Sequence, residues 1–127
     1  MQHYFFIPVD GKYRRLDFAN VLYMEGCRNY VKVVTTTKNY LVLMTMKRIE
    51  QIMPAHLFLR IHKSYIVSLN NITEFDRSRV YLTDKVFPIG DQYKGSLERS
   101  LLILQENSGR QLSAVPMSVF QHGEYAG

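Results

Sequence analysis

The sequence predicts a single, mainly β domain. Short runs of β-branched and aromatic residues recur along the chain, and turn residues separate them. Only two segments show helical spacing, and no repeat of solenoid length is present. A chain of 127 residues with 46% hydrophobic residues is long enough for one hydrophobic core and too short for two domains. Many short strands with one or two helices are typical of a mainly β fold.

The first half of the chain supplies five of the predicted strands. Asp10-Gly11 is a hairpin-type turn between the first two, and the segment Gly26-Cys27-Arg28-Asn29 joins the third to the fourth. Lys38-Asn39 is the turn before the fifth. These strands are predicted at residues 3–9, 12–18, 21–25, 30–37 and 40–43.

A change of period marks the first helix. Apolar residues recur at helical spacing between Met44 and Met53, and charged residues occupy the other side. Thr45 is a suitable N-cap and Pro54 is a stop signal. The pattern therefore predicts a short helix near residues 45–53.

Further strands and a second helix follow. Turn residues at 70–71, 76–78 and 83–85 separate strands predicted at 57–60, 65–69, 72–75, 79–82 and 86–89. Leucines between Leu97 and Leu104 indicate a terminal helix near residues 92–104, for which Asp91 is the expected cap. After Gln105 the sequence is small, polar and without period. We therefore predict one domain over residues 1–104 and a flexible tail over residues 105–127.

The charge of the chain favours an anionic partner. Sixteen Lys and Arg against eleven Asp and Glu give a net charge of +5 and a pI near 9.4. Within residues 1–104, fifteen basic residues oppose nine acidic ones, so the predicted domain carries +6. Such a balance supports a nucleic-acid or phosphate partner.

Several classes of protein are disfavoured. A single cysteine, Cys27, excludes an intrachain disulfide and a cysteine-rich zinc site, and it suits a reducing compartment. No apolar run approaches the ~20 residues that cross a bilayer, and the N-terminus lacks the features of a secretion signal. We expect a cytoplasmic protein without a membrane partner. The four histidines are His3, His56, His62 and His122, and they have no metal-ligand spacing. No glycine-rich phosphate loop follows a strand, so neither metal nor cofactor is predicted.

The segment FLRIHKSYIVSLNNI, residues 58–72, carries the densest candidate site. A basic, hydrogen-bonding cluster (Arg60, His62, Lys63 and Ser64) stands directly before a β-branched and aromatic run that begins at Tyr65. Two cations, an imidazole and a hydroxyl at a strand entry can hold phosphate oxygens and reach base edges. The alternative is a solvated edge that is kept charged to prevent strand pairing.

An enzymatic alternative uses the same segment. His62 and Ser64 are two residues apart, so on one extended strand they face the same side and could act as base and nucleophile. No carboxylate lies nearby in the sequence to orient the histidine, and no G-x-S-x-G elbow is present. The sequence therefore predicts no enzyme.

Two further clusters lie at turns. Arg28, Asn29, Tyr30 and Lys32 surround a strand entry, where Asn and Arg can read base edges; alternatively, Asn29 is a turn residue and Tyr30 is a core aromatic. The third cluster is the turn of residues 88–94, with Lys94 placed to meet an anion.

The order of these segments resembles the LytTR-type DNA-binding domain, the output domain of bacterial response regulators of the LytR/AlgR family. The resemblance covers roughly residues 21–104, and the run F-x-R-I-H-K-S-Y-I-V is quite specific to that family. The segments that carry it are VLYMEGCRNYVKVVTT, MKRIEQIMP, FLRIHKSYIVSLNNI, RVYL and FPIGDQYKGSL.

The resemblance implies an elongated, mainly β arrangement of small β-sheets in which loops, not a recognition helix, enter the DNA major groove. It implies a transcription regulator that binds double-stranded DNA at repeated half-sites. The base contacts that we expect are Asn29, Lys63 and Gln92. The expected backbone contacts are Arg28, Tyr30, Lys32, Arg60, His62, Ser64, Arg79 and Lys94.

Two departures from the family pattern are visible. Many relatives carry an arginine in the last turn, where this chain has Gly90-Asp91-Gln92, and Gln92 is the best substitute. No phosphoacceptor receiver domain is present, so the chain either acts alone or is the output part of a longer regulator that responds to a sensor kinase. Rival hypotheses are a single-stranded nucleic-acid binder that stacks bases on Tyr and Phe, and an interaction domain that accepts a peptide strand.

Overall fold

A computed structural model of the chain describes residues 2–106 and 113–118. Most of the predicted tail at 105–127, including His122, lies outside these residues. In the described part of the chain the structure is mainly β with several small sheets, as the sequence predicts.

The central element is a five-stranded antiparallel sheet with strand order β5-β4-β3-β7-β6. Strands β3 and β4 form one hairpin and β6 and β7 form another, and β3 pairs with β7 to join the two hairpins. The strands are β3 (Val21–Cys27), β4 (Tyr30–Thr35), β5 (Asn39–Val42), β6 (Phe58–His62) and β7 (Tyr65–Ser68).

Smaller elements cover the two faces of this sheet. One is a hairpin of β1 (Tyr4–Val9) and β2 (Lys12–Asp17), and another is the helix α1 (Met46–Ile52). The third is a three-stranded sheet of β8 (Ile72–Phe75), β9 (Arg79–Leu82) and β10 (Lys85–Pro88). A short helix, α2 (Ser96–Ser100), ends the fold.

Alternation along the strands divides the core in two. Tyr23 and Val67 face a cluster that contains Phe87 of β10 and Leu97 of α2. Their neighbours Met24 and Ile66 point to the other face, where residues of the β1–β2 hairpin and of α1 pack. Successive side chains of a strand point to opposite faces, so one sheet supports both clusters.

The two helices differ in how well their predicted bounds match the structure. Helix α1 begins one residue after Thr45, whose hydroxyl accepts a hydrogen bond from the Arg48 backbone N–H at 3.1 Å, as predicted. The terminal segment is shorter than expected: a 3₁₀ turn at Asp91–Tyr93 precedes α2. The expected cap was wrong, because Gly95, with a left-handed φ of 83°, occupies that position and separates the two pieces.

Candidate nucleic-acid interface

The β3–β4 turn projects from one end of the five-stranded sheet. Cys27 pairs with Tyr30, so Arg28 and Asn29 alone form the turn, and both are exposed. Arg28 adopts a left-handed φ of 58°, which is uncommon for a residue with a side chain. The tight turn directs two polar side chains into solvent beyond the last strand pair.

The β6–β7 turn lies beside it. His62 pairs with Tyr65, which leaves Lys63 and Ser64 in the turn. The Gly26 N–H donates to the Ser64 carbonyl oxygen at 2.9 Å, so this turn is hydrogen-bonded to the strand that leads into the first turn. The antiparallel pairing of β3 with β7 therefore brings two predicted site segments, 35 residues apart at Asn29 and Ser64, to one end of one sheet.

Arg60 fixes the shape of the β6–β7 turn. Its guanidinium donates from Nε to the His62 carbonyl oxygen at 3.3 Å and from Nη2 to the Lys63 carbonyl oxygen at 2.6 Å. Nη1 also donates to Glu50 Oε1 at 3.2 Å, and the arginine side chain is only 15% exposed. Much of the hydrogen-bonding capacity of Arg60 is therefore used within the protein, while the exposed Lys63 side chain extends beyond the turn.

The His62 imidazole is also part of the turn. Its Nδ1 accepts a hydrogen bond from the Ser64 backbone N–H at 3.0 Å, and its ring lies 5.3 Å from the Tyr65 ring between centroids. The imidazole therefore helps to fix the backbone of the turn.

The third predicted segment lies against β6. The Gly90 N–H donates to the Ile61 carbonyl oxygen at 2.8 Å. A β-carbon at Gly90 would stand 3.5 Å from His62 Cα and 3.2 Å from Tyr93 Cδ2, so a side chain would crowd this approach. The adjoining Asp91 and Gln92 are exposed, and the Arg60 guanidinium lies 5.9 Å from the Tyr93 ring centroid. The structure thus brings all three segments together along one end and edge of the sheet.

Lys32 lies in β4, close to the β3–β4 turn. It is paired with Glu25 across β3 and β4, and its Nζ lies 3.4 Å from Glu25 Oε1. Both side chains are about one-third exposed, at 35% and 29%. Of the three predicted lysines, Lys32 is the one held in an ion pair.

Arg79 begins β9, next to a turn that joins the second sheet to the interface. Asp76 Oδ1 accepts hydrogen bonds from the Ser78 and Arg79 backbone N–H groups at 2.7 and 2.8 Å. These bonds, together with the charges of Arg79 and Lys94, lower the pKa of the Asp76 carboxyl group. The Ile89 N–H donates to the Ser78 carbonyl oxygen at 2.9 Å, which ties this turn to the residue before Gly90.

Two basic residues near this turn were not among the predicted contacts. The Arg77 and Arg99 guanidinium groups both lie over Gly95: their Nη1 atoms are 3.7 and 2.9 Å from the position of a β-carbon there. Arg77 belongs to a predicted turn and Arg99 to a predicted helix, so neither stood out in the sequence. The sequence signal that could have identified them is Gly95, which lies between the 3₁₀ turn and α2 and leaves room for the Arg99 side chain.

Other kinds of site find little support in the described residues. Among residues 2–106 and 113–118, no group of three or more His, Cys, Asp and Glu side chains could hold a metal ion. No helix in the same ranges is long and apolar enough to cross a membrane. A cavity of about 250 Å³ between the β1–β2 hairpin, α1 and the sheet is lined mainly by apolar side chains such as Phe5, Met24 and Ile49.

Comparison with known families assigns this mainly β fold to a class of DNA-binding domains. The family model described as the LytTr DNA-binding domain matches residues 11–101, and the chain belongs to this LytTR family. The family description makes the chain a DNA-binding domain. The match includes β2, which precedes the segments that carry the resemblance in the sequence.

A solved structure shares the fold. It is the LytTr DNA-binding domain of a Bacillus cereus protein named as a methyl-accepting/DNA response regulator. The two chains are 17% identical and superpose with a TM-score of 0.62 over 73% of this chain and 91% of the other. No curated protein matches the chain. The predicted family and the mainly β fold are therefore confirmed, whereas the individual DNA contacts stay predictions.

Proposed function

We propose that the chain binds double-stranded DNA sequence-specifically, through turns inserted in the major groove, and so regulates transcription. The observation that carries the proposal is the junction of the three predicted segments: Gly26 is hydrogen-bonded to Ser64, and Gly90 to Ile61. A major groove about 12 Å wide admits a two-stranded β-ribbon. Each of the two hairpins, β3–β4 and β6–β7, is a two-stranded ribbon that ends in one of the turns, and the segment at Gly90 is hydrogen-bonded to β6 beside them.

Base readout is assigned to one residue in each segment. Asn29 and Gln92 are exposed amides, which can form paired hydrogen bonds with the N6 and N7 edge of adenine. Lys63 is exposed, and an ammonium group suits the O6 and N7 acceptors of guanine. Three readers on separate turns would sample separated base pairs of one site.

The neighbouring residues are assigned to positioning on the phosphates. Arg28 and Arg79 are exposed, and Lys94 is half-buried but close enough to Asp76 to lower its pKa. Arg60 acts mainly by holding the β6–β7 turn, with phosphate contact as a secondary role. Phosphate contacts fix register and orientation without carrying sequence information themselves. The full set is Arg28, Tyr30, Lys32, Arg60, His62, Ser64, Arg79 and Lys94.

The proposal extends to the biological role. The domain acts without enzymatic activity in the cytoplasm, on repeated half-sites, either alone or as the output part of a longer regulator that a receiver domain or sensor kinase controls. The enzymatic alternative uses His62 as the base and Ser64 as the nucleophile. A hydrolase that used these side chains would lose activity in Ser64→Ala without losing DNA affinity.

Selection from random duplexes tests the proposal. Binding of the selected duplex is then compared with binding of a scrambled duplex and of each single strand, at one fixed salt concentration. We expect a preference of at least about 10³-fold for the selected over the scrambled duplex, since specific DNA binding usually exceeds nonspecific binding by that factor or more. Equal binding of selected and scrambled duplexes would refute sequence-specific recognition.

One observation favours single strands as an alternative ligand. The outer face of the β1–β2 hairpin exposes Phe6 (54%) and Tyr13 (79%), and aromatic rings beside basic residues can stack bases. If single strands bind better than the selected duplex, and Tyr13→Ala removes that binding, this hairpin rather than the basic turns is the nucleic-acid site.

A further inference from the structure

Arg77 and Arg99 form a second basic feature, beyond the predicted turns. Arg77 lies in the β8–β9 turn and Arg99 in α2, yet both guanidinium groups lie over Gly95. The backbone of Gly95 is buried and left-handed, with φ 83°, while both arginines are exposed. Because Arg99 Nη1 lies 2.9 Å from the position of a β-carbon at Gly95, the arginine head occupies space that a side chain would take.

Neither Arg77 nor Arg99 forms an ion pair in the described residues. The ion pairs of the described residues join Arg15 to Asp17, Lys32 to Glu25 and Arg60 to Glu50, and none of them includes Arg77, Lys94 or Arg99. Asp76, the residue before Arg77, accepts two backbone N–H groups with Oδ1. Like charges held together repel each other, and an external anion between them relieves the repulsion.

The feature is continuous with the proposed DNA interface. Gly95 directly follows Lys94, and the Ser78 carbonyl oxygen accepts the Ile89 N–H at 2.9 Å. The β8–β9 turn that carries Arg77 is thus hydrogen-bonded to the segment that ends in Gly90. A duplex that meets Gln92 and Lys94 would continue toward the two arginines.

We propose that Arg77 and Arg99 together bind a phosphodiester group of the DNA backbone and extend the duplex contact past the turn of residues 90–94. This inference rests on the proposed function. Guanidinium groups present planar forks of N–H donors that match phosphate oxygens, which makes arginine well suited to such a contact. The contact adds affinity and salt dependence, and it leaves sequence preference unchanged.

The experiment measures affinity for the selected and scrambled duplexes across a salt series. The proteins are the wild-type chain, the double variant Arg77→Gln/Arg99→Gln, the double variant Arg77→Lys/Arg99→Lys, and Lys38→Ala as a control. Lys38 is exposed and lies in the β4–β5 turn at the end of the sheet opposite Asn29, so its removal changes net charge without touching the interface. Circular dichroism confirms that each variant is folded.

We expect the glutamine variant to lower the slope of log affinity against log salt by about one unit, because the two arginines share one phosphate contact and each lost contact removes about 0.9. The ratio of selected to scrambled affinity should stay unchanged, the lysine variant should recover most of the slope, and Lys38→Ala should match the wild type. A wild-type slope in the glutamine variant would overturn this inference alone. Failure of the wild-type chain to bind duplexes would overturn the proposed function together with it.

Discussion

At the scale of single residues, Lys63 is the sharpest test of base readout. Only its backbone carbonyl takes part in holding the turn, through Arg60, so removing the side chain leaves the turn intact. We expect Lys63→Ala to cost about 1–3 kcal/mol on the selected duplex and to blur the preference at one base pair. Titration of duplexes mutated one base pair at a time measures this. A loss of equal size on scrambled DNA would make Lys63 a phosphate contact instead.

Arg60 tests whether the shape of the turn matters separately from its charge. Arg60→Ala leaves two turn carbonyls without their donor, so we expect a loss of about 1–3 kcal/mol in the free energy of unfolding. Glu50→Ala is the matched control, because it removes only the exposed partner of Arg60, and such surface pairs contribute about 0–1 kcal/mol. Urea denaturation compares the two variants. Equal losses of stability would show that Arg60 stabilises the fold through its ion pair with Glu50 and not through its hydrogen bonds to the turn.

Asp76 gives a pH-dependent expectation. Its pKa is lowered in the folded chain by the Ser78 and Arg79 amides and by nearby positive charges. A lowered folded pKa stabilises the fold above the unfolded pKa, and that stabilisation is lost as pH falls through the folded value. Asp76→Asn should therefore be less stable than the wild type at about pH 7, with the difference shrinking near pH 3. Denaturation at both pH values measures the difference; a constant gap would contradict the linkage.

At the scale of elements, the sequence predicts most strands because each is a short apolar run bounded by turn residues. Bounds shift where pairing decides them: β3 runs to Cys27, two residues beyond its predicted end, because Gly26 and Cys27 pair with Val31 and Tyr30. Local pattern also identified all three turns of the candidate site. It could not reveal that the Arg60 guanidinium would donate hydrogen bonds to the carbonyl oxygens of the β6–β7 turn, since those bonds depend on how β6 and β7 pair.

The terminal segment shows the other limit of the sequence. Leucine spacing indicates one helix, but the left-handed conformation of Gly95 divides it and folds Arg99 back toward Arg77. We expect Gly95→Ala to destabilise the fold by about 1–2 kcal/mol, because a β-carbon is disfavoured at positive φ. Gly95→Asn should cost less, since Asn tolerates that conformation. Thermal unfolding of both variants checks the order, and equal stability of alanine and glycine would refute the requirement.

At the scale of the whole molecule, the sheet places two turns of the candidate site at one end and the turn that carries Lys38 at the other. The net charge of +5 alone would attract any polyanion to any face. Specific binding requires instead that charges at one end contribute and charges at the other do not. The antiparallel hairpins produce this difference, because the turns at residues 28–29 and 63–64 share one end while Lys38 lies at the other.

Lys94→Ala and Lys38→Ala compare the two ends directly, because each variant removes one positive charge and leaves a net charge of +4, one less than +5. We expect Lys94→Ala to weaken binding to selected and scrambled duplexes alike and to lower the salt slope by about one unit. Lys38→Ala should keep the wild-type slope, because a charge far from the duplex releases no counterion. Affinities measured between about 50 and 200 mM salt cover the range in which such slopes are resolved. Slopes lowered equally in the two variants would mean that DNA binding responds to total charge. The end of the sheet that carries the predicted turns would then lose its role as the docking surface.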